Sequence, residues 1–347
     1  MARVKRTYAP MQFVYDLYDR TPRPLAFSAT DVAEWRAWRR KLRAKFAQCL
    51  GGLDDERCDL QAEVLKRERM DGYTREKVVY QSRADVSVPA WVLIPDGLTG
   101  PAATMICLHG HGRGKDEIVG IDADGNQRDE PGEYQNDFAV QAVKRGFVAI
   151  APDLYGFGER RDAIDIEKGA GNSSCQQPSM SLIMLGRTVP GMRVYDVMRT
   201  IDYLQTRPEC NPKRIGCMGI SGGGTITTFA TALDDRIAGC LISGYMNLWR
   251  DCIVALYHCT DNYVPEMLNW AEAPDIGCLI APRPMFIESG TVDPIFPVKA
   301  TRRAHKAIRE AYKLLGSEQR LGLEIFEGDH FFCGNKGFPF LEKWLKP

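Results

Sequence analysis

No stretch of this chain approaches the ~20 consecutive apolar residues of a membrane-spanning helix, so no membrane partner is expected. Net charge is lacking too, since 45 basic residues meet 45 acidic ones. Without a long-range basic field nucleic acid is not an expected partner, and without an acidic excess a solvating tail is not expected either. Zinc-type Cys-x-x-Cys spacing is absent, and histidine is scarce, with five in 347 residues. The first twenty residues mix Arg3, Lys5 and Arg6 with Asp16 and Asp19 and contain no apolar core of secretory length, which argues against an export signal. Eleven cysteines follow no regular spacing, and Cys107, Cys217 and Cys240 fall inside apolar runs. They read as reduced core residues in a reducing, cytoplasmic setting. What remains is a chain long enough for one large α/β domain with insertions, working on a small molecule without a cofactor. A homo-oligomer stays open.

Residues 1–75 read as a helical extension packed on the main domain. Thr30 to Glu34 opens a helix with capping residues and an early carboxylate, and Trp35, Trp38, Leu42 and Phe46 recur at helical spacing as a packing stripe. Gly51-Gly52 ends it, and the charged connector from Glu56 to Arg69 carries no clear pattern. Glu76 to Gln81 and Val86 to Ile94, split by a polar tetrapeptide, predict an antiparallel hairpin at a sheet edge.

Residues 76–347 then alternate strand, loop and helix. Short apolar runs at Thr104–Leu108, Phe147–Ala151, Arg214–Met218, Ala238–Ser243, Pro284–Ser289 and Leu323–Phe326 predict strands covered on both faces. Asp137–Arg145, Val194–Gln205 and Lys299–Leu315 predict helices between them. The alternation argues a doubly wound, mostly parallel α/β sheet whose site lies at the carboxyl ends of the strands. Inserts near 160–190 and 246–272 are long enough to gate or cap that site.

The residues at those strand ends carry the chemistry. Gly219-Ile220-Ser221-Gly222-Gly223 matches Gly-x-Ser-x-Gly between a strand and a small-residue helix from Thr225 to Leu233. A serine at the tip of so sharp a turn needs neighbours without bulk, and the context makes Ser221 a nucleophile rather than a glycine-rich turn. His109-Gly110-His111-Gly112 follows the first parallel strand, where backbone can approach a substrate closely; the amides of His111 and Gly222 are the expected oxyanion donors. A metal-chelating reading of His109-x-His111 finds no further ligands to complete it, and no metal is expected. Asp293 sits after the strand at 284–289, with a turn-forming Asp-Pro as its plain reading and Glu288 as fallback. His330 follows the last strand, and the order Ser221, Asp293, His330 is that of a nucleophile, an orienting acid and a general base. His109, Gly110, Glu159 and Trp249 are the expected substrate-side residues, with loop support as the simpler reading for His109 and Glu159. Arg193, Asp196, Arg199 and Asp202 read as ion pairs along one helix, and Asp122 to Asn126 as a polar loop rather than a calcium loop.

These stretches, together with Asp153 to Glu159, Ala281-Pro282-Arg283-Pro284 and Asp329-His330, resemble the α/β-hydrolases related to acetyl xylan esterases and the dienelactone hydrolase group, over roughly residues 75–347. The resemblance implies an eight-stranded type of α/β-hydrolase sheet and serine ester hydrolysis, with short acyl groups, such as acetyl, on sugars or small alcohols. Dienelactone hydrolases proper use a cysteine nucleophile, and Ser221 points away from that activity. The absence of an export signal points away from an extracellular polymer. Two other readings stay open: a serine peptidase of the oligopeptidase type, and a non-catalytic binding protein on the same fold.

Overall fold

The computed structural model describes residue 6, residues 8–132 and residues 134–346; Arg3 and Lys5 lie outside them. The strands are β1 (Glu63–Arg69), β2 (Tyr73–Arg83), β3 (Val86–Pro95), β4 (Ala102–Leu108), β5 (Val148–Pro152), β6 (Cys210–Ile220), β7 (Ile237–Ser243), β8 (Met285–Gly290) and β9 (Leu321–Phe326). Among the described residues the helices are α1 (Pro10–Arg20), α2 (Val32–Leu50), α3 (Lys115–Ile118), α4 (Phe138–Lys144), α5 (Ala163–Ile166), α6 (Gln176–Met184), α7 (Val189–Leu204), α8 (Gly222–Leu233), α9 (Ala273–Cys278), α10 (Val298–Leu314) and α11 (Gly337–Leu345).

The strands form one sheet in the order β1-β2-β3-β5-β4-β6-β7-β8-β9. Pairing is antiparallel from β1 through β3 to β5, and parallel from β5 onward to β9. The parallel strands β5 and β8 are buried along their whole length, as their unalternated apolar sequences predict. The sheet has nine strands where about eight were expected, and it is mostly parallel as expected. The extra one, β1, lies within the 1–75 stretch read as helical; it is nearly all exposed, and its charges blunt an open edge instead of forming a hydrophobic pattern.

Register carries the strand ends to one rim. Leu108 stands beside Gly219, Ile220 beside Ser243, and Ser243 beside Glu288. The residues following β4, β6, β7 and β8 therefore meet at one edge of the sheet. Beneath them, α2 starts where the Asp31 carboxylate accepts the Glu34 amide and ends at Gly51, whose φ of 66° suits glycine. Its stripe of Trp35, Trp38, Leu42, Phe46 and Leu50 is buried in the same core as β4, β6, α7 and α8. The Phe46 ring meets that of Phe229 edge-on at 4.9 Å.

Among the described residues no helix is long and apolar enough to cross a membrane. The four charged residues of α7 do not pair mainly along the helix. Only Arg199 and Asp202 do so. Because α7 is buried on most sides, Arg193 reaches Asp261 and Asp196 takes Arg83 and Arg160 from neighbouring segments.

Candidate active site

The turn from β6 into α8 holds Ser221 at φ 55° and ψ −121°, a strained conformation for a residue with a side chain. Close approach explains the glycines around it. A Cβ on Gly223 would stand 1.8 Å from the Leu108 carbonyl oxygen, and one on Gly219 would stand 2.6 Å from the same atom. Gly222 is less confined, for its Cβ would meet only the His111 ring, at 3.2 Å. Its amide opens α8, where an intrahelical acceptor does not exist. The loop carrying His111 is fixed by Tyr134, whose hydroxyl donates to the His111 carbonyl at 2.5 Å.

Asp293 and His330 come together although 37 residues separate them. Asp293 is buried; its Oδ2 meets His330 Nδ1 at 2.8 Å, while Oδ1 accepts the amides of Ile295 and Phe296 at 2.8 and 2.9 Å. The His330 ring is stacked between Tyr134 and Phe296, each centroid 5.6 Å away. A Cβ on Gly244 would press on the ring at 2.8 Å, so the residue after β7 must be small. His330 Nε2 is shielded and has no hydrogen-bond partner among the described residues. Glu288, the fallback acid, does not hold the histidine. It is fully buried and accepts the amides of Cys333 and Gly334, with burial raising its carboxyl to about 7.

A pocket of about 370 Å³ opens over these groups, lined by Ser221, His330 and His111 and walled by Tyr134, Phe296 and residues 256–259 and 262. A serine that lines the same pocket as an imidazole whose other nitrogen is held by a carboxylate can be deprotonated as it attacks an electrophile. Four of the residues expected on the substrate side are elsewhere. His109 is wholly buried, where its Nε2 accepts the Leu154 amide at 2.9 Å. Burial, against the pull of Asp153, lowers its pKa to about 4, which keeps the ring neutral. Gly110 is buried with its amide donating to Gln135. Glu159 bonds Lys115 and Lys77. Trp249 is buried with its indole N–H on the Tyr245 hydroxyl. Each supports a loop or packs through the contacts just named.

The 246–272 insert contributes what the sequence reading lacked. Its first part packs through Trp249, and Leu256, Tyr257, His258, Cys259 and Asn262 wall the pocket. Asp261, behind them, is buried with Oδ2 at 2.6 Å from Arg193 Nη1 and 3.5 Å from His111 Nε2. Burial would raise this carboxyl, but Arg193 and His111 outweigh it and hold it far below the ordinary range. Burial would likewise lower His111, and Asp261 more than reverses that. An irregular insert offers no periodicity from which such contacts could be read; the adjacent His258, Cys259 and Asp261 were the available signal.

With this geometry in view, the sequence profile described as the Abhydrolase family matches residues 7–322. The chain belongs to the Abhydrolase family. That match takes in the N-terminal extension, Ser221 and Asp293, and ends before His330. A Bacillus subtilis (strain 168) relative named "Putative hydrolase YtaP" is 27% identical over 329 residues, covering 89% of this chain and all of that one. The crystal structure of a Bacteroides fragilis protein described as a "putative acetyl xylan esterase" superposes with a TM-score of 0.84 at 20% identity, over 99% of this chain and 96% of its own. A glucuronoyl esterase from Solibacter usitatus follows with a TM-score of 0.69 at 16% identity, over 94% and 98%. These likenesses place the Abhydrolase chain in the α/β-hydrolase fold, with a mostly parallel sheet and flanking helices.

Proposed function

We propose that this protein is a serine carboxylesterase that cleaves short acyl esters, acetyl above all, of sugars or small alcohols. The observation that carries the reading is the held pair Asp293–His330, whose histidine lines the same pocket as Ser221. Ser221 Oγ attacks the ester carbonyl while His330 Nε2 takes its proton, and Asp293 stabilises the imidazolium. The amides of His111 and Gly222 hold the oxyanion. Collapse expels the alcohol, protonated by His330, and leaves an acyl-serine. Water, deprotonated at the same nitrogen, then releases the acid. The substrate is a free small molecule, and the neighbours described as a putative acetyl xylan esterase and a glucuronoyl esterase support the sugar assignment.

A fluorophosphonate tests the nucleophile directly, since a serine so activated forms an O–P bond as fluoride leaves. The adduct is expected on the peptide containing Ser221, with labelling strongly slowed in His330→Ala. Label on another serine, or equal labelling of the histidine variant, would overturn the assignment.

A further inference from the structure

Beside the pocket lies a group of side chains that this chemistry leaves unused. His111, Cys259 and Asp261 each place a donor atom so that all three atoms lie within 4.8 Å of one another. His111 Nε2 stands 3.5 Å from Asp261 Oδ2; it is shielded and has no hydrogen-bond partner among the described residues. Cys175 Sγ lies 3.4 Å from the same carboxylate oxygen. Donors bound tetrahedrally at about 2.0–2.3 Å from one ion are roughly 3.3–3.8 Å apart. The His111–Asp261 and Cys175–Asp261 separations already fall in that range, and Cys259 lies within 4.8 Å of the His111 and Asp261 donors.

We propose that His111, Cys259 and Asp261, with Cys175 as fourth donor, form a binding site for one divalent cation of the zinc class in the pocket wall. The donor set selects the metal: imidazole and thiolate favour zinc and its neighbours, whereas magnesium and calcium require oxygen ligands. Arg193 brings a positive charge to the cluster, with Nη1 2.6 Å from Asp261 and Nη2 3.2 Å from Cys175, which taken alone repels a cation. Charge counting reverses that. Two thiolates and a carboxylate around a doubly charged ion leave one negative charge, which the guanidinium neutralises while its N–H groups hold the sulfur and the oxygen from behind. Each thiol passes its proton to solvent as its sulfur–metal bond forms. The ligands come from the loop after β4, the start of α6 and the 246–272 insert, so an ion would tie both inserts to the oxyanion loop. The proposal does not depend on the esterase reading, because it is tested by binding alone.

The test uses the full chain, stripped with a chelator and titrated with Co²⁺. One equivalent is expected to bind with a thiolate-to-cobalt charge-transfer band that Zn²⁺ abolishes by displacement. The band should be lost in Cys259→Ala and in His111→Ala, and weakened in Cys175→Ala, with thermal melting confirming that each variant is folded. Zn²⁺ should also protect Cys259 of the unaltered protein from alkylation, a readout that needs no variant. Absence of the band together with absence of protection would overturn the proposal. So would a band that survives Cys259→Ala but disappears in His330→Ala, which would put the ion on the proposed catalytic histidine instead.

Discussion

At the scale of the residue, Asp293 divides its two oxygens between two tasks, one on His330 Nδ1 and one on the amides of Ile295 and Phe296. An asparagine there can keep its carbonyl on the two amides and turn its NH₂ toward the ring, which forces the other imidazole tautomer without changing shape. Asp293→Asn is therefore expected to lower kcat on short esters on the order of 10⁴-fold with little change in melting temperature. Turnover near that of the unaltered protein would show that the carboxylate does not act through His330. Ser221, Asp293 and His330 were legible in the sequence because each ends an apolar run and their chain order restricts their roles. Asp261 and Tyr134 were not, because nothing local marks a residue whose partners lie 68 or 23 positions away on other segments.

At the scale of the element, the loop between β4 and α3 depends on a neutral histidine. His109 accepts the Leu154 amide through Nε2 while Nδ1 lies 2.7 Å from the Gly110 carbonyl, an arrangement that protonation of Nε2 destroys. Its folded-state pKa of about 4 lies below the 6.5 of the unfolded chain. The unfolded state therefore takes up the proton first, and stability from this group falls as pH drops from 6.5 toward about 4. Urea midpoints measured across that window should decline less in His109→Asn than in the unaltered protein; parallel declines would refute the assignment. The elements themselves were legible where strands are covered on both faces. Strand β1 escaped because an exposed, charged edge has no apolar period, and α7 misled because a helix buried on most sides sends its charges to neighbours rather than along itself.

At the scale of the molecule, the N-terminal extension shares its core with the sheet. Phe46 is wholly buried against Phe229 of α8, the helix that Ser221 opens. Phe46→Ala is expected to cost about 3–5 kcal/mol, read as a lower urea midpoint of a single transition. A variant that unfolds in two steps, or at the original midpoint, would show that residues before Gly51 are an independent unit. The central claim concerns the whole assembly of strand ends, and p-nitrophenyl esters from acetate to octanoate, with a chromogenic peptide amide beside them, test it most directly in the unaltered protein and in Ser221→Ala. The account predicts turnover that is highest on acetate, falls with acyl length, spares the amide, and drops on the order of a thousandfold or more in a folded Ser221→Ala. Ester turnover that survives in Ser221→Ala, or cleavage of the amide with no ester turned over, would contradict it.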